Sequence, residues 1–305
     1  MSIRTKWPRF LNSLALPCLA LLSSAVFASC ANEDPERYGS INDEIVDGRP
    51  SGAKYPGVVQ LFIFKGNSVS RCTGTLVNPK TIYTAAHCIE RGTPQRNILA
   101  YFGSRNLEVP DLANNPPPND DGDDHFIAWR RSARYFIHPS YVPNAPNAWV
   151  HDVAVVRFQR AVPRAWAAPI PVNRASLDLP PLDATLNYTA VGFGANRTYV
   201  AGKPARGFGV KRNASITRVN PLDPGIDLGA LYTGGAGAAL GNLCVGDSGG
   251  PALVRVGAVD RLAGIASTVF DSDGNGQFCN QGDYHAHARL DDPRVRAFLD
   301  SIGAP

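Results

Sequence analysis

Four residue types with catalytic potential recur along the chain. They are a serine between glycines in Gly246-Asp247-Ser248-Gly249-Gly250-Pro251, a histidine in Thr84-Ala85-Ala86-His87-Cys88, an aspartate in His151-Asp152-Val153-Ala154, and five cysteines beyond residue 29. A hydroxyl becomes a nucleophile when an imidazole takes its proton, and a carboxylate that holds the imidazole completes the set. Glycine tolerates backbone angles that other residues resist. A loop of this composition can expose Ser248 and turn backbone N–H groups toward a reacting carbonyl. Taken singly, each segment also has a plain reading. Gly, Asp, Ser and Pro make surface turns, an Asp at a strand entrance is a turn residue, and a lone His beside an apolar run packs in a core.

The elements that must position these groups read as strands. Val58–Phe64, Gly74–Val77, Thr81–Thr84, Ala133–Ile137 and Val153–Phe158 are short β-branched or aromatic runs. With 25 Pro and 29 Gly in 305 residues, the composition suits a loop-rich, all-β chain large enough for a sizeable core. Pro163 to Pro171 reads as an irregular connection between two halves, about 45–162 and 163–290. Val295, Phe298, Leu299 and Ile302 recur at helical spacing after Asp292-Pro293, which predicts a C-terminal helix.

Residues 1–30 read as an export signal, with Arg4, Lys6 and Arg9 before an apolar run from Leu11 to Phe27. Setting those three aside, 27 basic residues face 26 acidic ones, so no basic face for nucleic acid is indicated. Cys30 follows Phe27-Ala28-Ser29, which resembles a bacterial lipobox. A lipid anchor through Cys30 stands beside ordinary cleavage after Ala28 or Ala31, with secretion or the cell envelope as destination. Residues 31–44 read as a linker or pro-segment. In an exported chain Cys72 and Cys88 can staple the segment that ends beside His87.

The chain order His87, Asp152, Ser248, together with Ile45-Val46-Asp47-Gly48, Gly192-Phe193-Gly194 and Gly264-Ile265-Ala266-Ser267, resembles the trypsin/chymotrypsin-like serine proteases over nearly everything after residue 44. The resemblance implies two six-stranded antiparallel β-barrels with a cleft between them and a C-terminal helix. It implies Ser248 as nucleophile, His87 as base and Asp152 as its orienting carboxylate. It places the oxyanion donors on the N–H groups of Gly246 and Ser248, and pairs Asp247 with the amine of a chain newly begun at Ile45. It implies disulfides Cys72–Cys88 and Cys244–Cys279. The implied partners are a protein or peptide substrate and an activating protease, and no cofactor is required.

Several positions depart from the family. Asp152 lies 65 residues after His87, with the Pro/Asp-rich stretch 111–125 accounting for much of the excess. Asp47 replaces the usual Gly, and Glu44 rather than Arg or Lys precedes Ile45. At the specificity pocket the resemblance assigns Asn242 to the floor, Ser267 and Val269 to the wall strand, and Gly282 to the inner wall. A neutral floor predicts an uncharged P1 residue, with Asp283 as a pocket acid if the alignment slips by one. Asp271, Asp273 and Asn275 open like a Ca²⁺ loop, but Gly282 stands where the closing Glu would be, so a Gly/Asp turn competes with a structural Ca²⁺ site.

Overall fold

The computed structural model describes residues 45, 48–89, 91–106, 109, 128–183, 185, 187–196, 199–200, 206–220, 227, 229–234, 241–271, 274, 276–280 and 283–305. All of these belong to one compact unit, residues 42–305. The leader with Cys30, the linker, the 111–125 stretch, Val46, Asp47, Asp273, Asn275 and Gly282 lie outside the described residues.

Six strands close the first barrel, in the order β2 (Val58–Lys65), β3 (Ser68–Asn78), β4 (Thr81–Thr84), β7 (Ala154–Phe158), β6 (Trp129–Ile137) and β5 (Ile98–Tyr101), which returns to β2. A short strand β1 (Arg49–Pro50) precedes it in the chain and pairs with the second barrel. Every pairing is antiparallel, and closure leaves no strand edge open. The run Val58–Phe64 is buried along its whole length, as expected for β-branched and aromatic residues inside a small barrel. Its turn is only two residues long, and Gly66 supplies the positive φ of 56° that such a hairpin needs. β3 begins at Ser68, six residues before the strand read from sequence. Its first residues, Ser68–Ser70, are exposed and hold Val69 as their one apolar side chain, so the apolar signal lies in the buried half.

The second barrel closes through β8 (Asn187–Gly192), β10 (Arg212–Arg218), β11 (Ala230–Gly234), β15 (Tyr284–Arg289), β13 (Val259–Phe270) and β12 (Pro251–Val256). A two-stranded ribbon, β9 (Tyr199–Val200) with β14 (Gln277–Phe278), stands apart from it. Helix α1 (Pro293–Ser301) starts at Asp292, whose Oδ1 accepts the Arg294 N–H at 2.8 Å. It buries Val295, Phe298 and Leu299 in a core cluster that also holds Val58, Tyr83, Val155, Phe193 and Ile265. That cluster takes residues from both barrels, so the barrels pack directly on each other.

Candidate active site

Strand pairing brings His87 and Asp152 together. Thr84 ends β4 opposite Ala154 at the start of β7, so the residues just beyond these ends leave the barrel at the same rim. Nδ1 of His87 lies 2.6 Å from Oδ2 of Asp152, and the His87 backbone N–H donates to Oδ1 at 2.8 Å. The Ser267 hydroxyl donates to Oδ2 at 2.5 Å. Asp152 is 1% exposed, so these donors stand in for the water it has lost. An ionised carboxylate only accepts, so Nδ1 carries the hydrogen and Nε2 is left as an acceptor. Burial pulls the His87 imidazolium down, but the charge of Asp152 and its hydrogen bond outweigh that. The imidazole is held above its ordinary value.

The Ser248 loop is wedged between the barrels. The Thr73 N–H donates to the Ser248 carbonyl at 2.8 Å, and the Thr73 hydroxyl donates to the Gly246 carbonyl at 2.9 Å. On the other side, Gly249 N–H donates to Ala266 at 2.7 Å and Ala266 N–H to Gly250 at 2.8 Å. Gly249 sits at φ 81°, and a Cβ there would lie 2.1 Å from Thr84 Oγ1 and 2.3 Å from the Thr73 carbonyl. Only glycine lets the serine approach the histidine loop this closely. The Cys72–Cys88 disulfide fills the same corner, with Cys88 Sγ 3.6 Å from the Ser248 carbonyl and 3.9 Å from His87 Nε2. Ser248 and the free imidazole nitrogen thus flank one sulfur. The Ser248 hydroxyl itself makes no hydrogen bond among the described residues.

Behind the serine, peptide orientation is set by hydrogen bonds. The Val245 carbonyl accepts the Ala195 N–H at 2.8 Å. A peptide group is planar and trans, so the Gly246 N–H points the opposite way. Neither the Gly246 nor the Ser248 N–H has an acceptor among the described residues. Asp247 is fully buried, and its two oxygens accept from Gly194 N–H at 2.8 Å and Cys244 N–H at 3.0 Å. Burial pushes its carboxyl up to about 6, against those two hydrogen bonds and the charge of Arg212. Ile45 is 1% exposed and packs with Leu177, Tyr188 and Leu243 in the core of the second barrel. The chain here is uncleaved, and the pairing of Asp247 with a freed Ile45 amine concerns a cleaved one.

A family model described as Trypsin matches residues 45–287. The chain belongs to the trypsin family. Among curated proteins it is 31% identical over 200 residues to CLIP domain-containing serine protease B10 of Anopheles gambiae, covering 63% of this chain and 52% of that one. It is 28% identical over 217 residues to coagulation factor IX of Cavia porcellus, covering 67% of this chain and 66% of that one. The chain thus spans between about half and two thirds of the length of these relatives.

In this trypsin-family domain a cleft of about 570 Å³ opens beside His87, lined by Tyr141, Asn144, Trp149, Ser267 and Thr268 among others. Ser267 lines this cleft, and its hydroxyl is turned to Asp152. Val269 is half-buried on β13, opposite His285. Asn242 is fully buried, its Nδ2 donates to the Asn280 carbonyl, and its Oδ1 has no partner among the described residues. Asp283 accepts the Asn280 N–H at 2.8 Å and so braces its own turn. Cys244–Cys279 closes beside Asn242. Asp271 accepts from Gly274 N–H at 2.9 Å and Gly276 N–H at 2.8 Å, so both carboxylate oxygens serve the turn. Sequence reasoning missed Thr73, Ala195 and Arg212. Thr73 and Ala195 bond to backbone groups far away in the chain and Arg212 to the carbonyls of Gly194, Gly207 and Val210, and no residue pattern announces such bonds.

Proposed function

We propose that this chain is an exported serine endopeptidase working through an acyl-enzyme. The observation that supports it best is the His87–Asp152 contact at 2.6 Å beside a Ser248 loop in which the Gly246 and Ser248 N–H groups have no acceptor among the described residues. In this reading Ser248 Oγ attacks the scissile carbonyl while its proton passes to His87 Nε2. The tetrahedral oxyanion accepts hydrogen bonds from the Gly246 and Ser248 N–H groups. Collapse breaks the C–N bond, and His87 returns the proton to the leaving amine. Water then repeats the sequence on the acyl-enzyme. Asp152 keeps the imidazole in the tautomer that accepts at Nε2 and balances the imidazolium. These steps use side chains and backbone amides alone and call for no cofactor.

Cleavage between Glu44 and Ile45 would supply an amine for the buried Asp247, and Glu44 directs the choice of activator away from trypsin-like enzymes. The neutral floor residue Asn242 favours an uncharged P1 side chain. The leader carries the chain out of the cytoplasm, with Cys30 as the candidate lipid anchor. Peptide-library turnover by the wild type and by Ser248→Ala, read with N-terminal sequencing of the active species, tests this reading. Cleavage lost in Ser248→Ala, with Ile45 as first residue, supports it. Undiminished cleavage by Ser248→Ala contradicts it.

A further inference from the structure

A buried cation stands behind the oxyanion donors. Arg212 opens β10 opposite Gly192 of β8 and is only 4% exposed. Its Nη1 donates to three carbonyls: Gly194 at 3.2 Å, Gly207 at 2.8 Å and Val210 at 3.4 Å. The first of these begins a chain of peptide groups. The Gly194 carbonyl and the Ala195 N–H belong to one planar peptide and point in opposite directions. The Ala195 N–H donates to the Val245 carbonyl at 2.8 Å. The Val245 carbonyl in turn shares its peptide with the Gly246 N–H. Guanidinium, peptide 194–195 and peptide 245–246 are therefore aligned head to tail, and the last donor in the series is the Gly246 N–H, which has no acceptor among the described residues.

We propose that Arg212 is a positioning residue for catalysis: through two aligned peptide groups it fixes the direction of the Gly246 N–H and strengthens it as a donor to the oxyanion. This rests on the reading of Gly246 as an oxyanion donor. A cation on a carbonyl polarises that peptide, and each bond in a hydrogen-bonded series strengthens the next in a low-dielectric interior. The same guanidinium reaches Gly246 by a second route. Its bonds to Gly207 and Val210 hold the turn that carries Phe208, and a Cβ built on Gly246 would lie 2.8 Å from the Phe208 ring. A third contact acts through Gly194, whose own N–H donates to Asp247 at 2.8 Å. The segment Gly194-Ala195 thus bonds to residues on both sides of Gly246, and Arg212 holds that segment.

A role in the transition state separates this from plain structural support. Arg212→Met removes both charge and donors, Arg212→Gln keeps a donor without charge, and Arg212→Lys keeps charge without the fork. In a chain first shown to have Ser248-dependent turnover, Arg212→Met is expected to lower kcat by about 10- to 100-fold with KM within about threefold of wild type, since loss of one oxyanion donor outright costs roughly 10²–10³. Affinity for a peptide aldehyde, whose adduct carries the oxyanion, falls in parallel, and Arg212→Lys recovers most of both. Should Arg212→Met fail to fold, Arg212→Gln is read in the same way. Wild-type kcat and aldehyde affinity in either neutral variant overturn the proposal, as does a KM that rises as far as kcat falls. Absence of Ser248-dependent turnover in the unmutated chain is a different result, and it overturns the reading of the active site together with this one.

Discussion

The Ala195 N–H donates to the Val245 carbonyl at 2.8 Å, and that bond decides which way the Gly246 N–H points. Its neighbours leave no room for error. Gly246 sits at φ 95°, and an added Cβ would meet the Phe208 ring at 2.8 Å and Gly194 Cα at 3.0 Å. Gly246→Ala is therefore expected to lower kcat by about 10² while the chain still folds, because backbone strain falls on the donor itself. Gly194→Ala is harsher. Its Cβ would lie 2.5 Å from Asp247 Cγ and 2.7 Å from the Asp247 backbone nitrogen. It should lose both thermal stability and activity, measured by melting and by kcat on one preparation.

Asp152 holds His87 above its ordinary pKa, so the acid limb of kcat/KM should fall above pH 6.5. Asp152→Asn removes the charge and reverses the hydrogen bond at Nδ1. The expected cost in kcat is about 10⁴-fold, with the acid limb moved to lower pH. A pH–rate profile of both proteins checks this, and an acid limb that stays in place would contradict the assigned role of Asp152.

His285 and His287 are both fully buried on β15. Burial lowers them to about 4 and about 3, and for His287 the neighbouring His285 adds to the effect. Unfolding returns each to about 6.5, so the unfolded chain takes up the protons. Stability from this source is complete above pH 6.5 and is lost as pH falls through 6.5 toward the folded values. One histidine contributes a slope of about 1.4 kcal/mol per pH unit in that window. His287→Gln should remove that much of the wild-type slope in denaturant titrations between pH 6.5 and 4.5.

Asp247 has the opposite sign. Its carboxyl is raised to about 6 in the fold, so its contribution is complete below about pH 3.8 and is lost as pH rises through 6. In the uncleaved chain, raising pH from 5 to 7.5 should cost about 1.4 kcal/mol relative to Asp247→Asn. A free Ile45 amine beside the carboxylate would cancel that loss. Equal pH dependence in cleaved and uncleaved protein would contradict the pairing of Ile45 with Asp247.

Local chemistry was legible in the sequence and long-range backbone bonding was not. The runs Val58–Phe64 and Val153–Phe158 announce buried strands, because both faces of the inner barrel wall are apolar. The exposed start of β3, Ser68 to Ser70, carries no such signal. His87, Asp152 and Ser248 stand in motifs whose residue types can be matched one by one. Thr73 and Gly246 are 173 residues apart and meet through a threonine hydroxyl and a backbone carbonyl, and the carbonyl is one that any residue could offer. Arg212 Nη1 donates to the Gly194, Gly207 and Val210 carbonyls, and a backbone carbonyl carries no residue-type signal in the sequence. Ser267 shows the same limit. Its place on the wall strand was readable, whereas the turn of its hydroxyl toward Asp152 depends on how the two barrels dock.

The most direct test of the account is covalent labelling. Wild-type protein and Ser248→Ala are treated with an organophosphonate, digested, and the adduct is mapped by peptide mass. One adduct is expected, on Ser248, formed with loss of peptidase activity and absent from Ser248→Ala. An active wild-type protein that leaves Ser248 unlabelled, or a label that persists on another residue in Ser248→Ala, would contradict it.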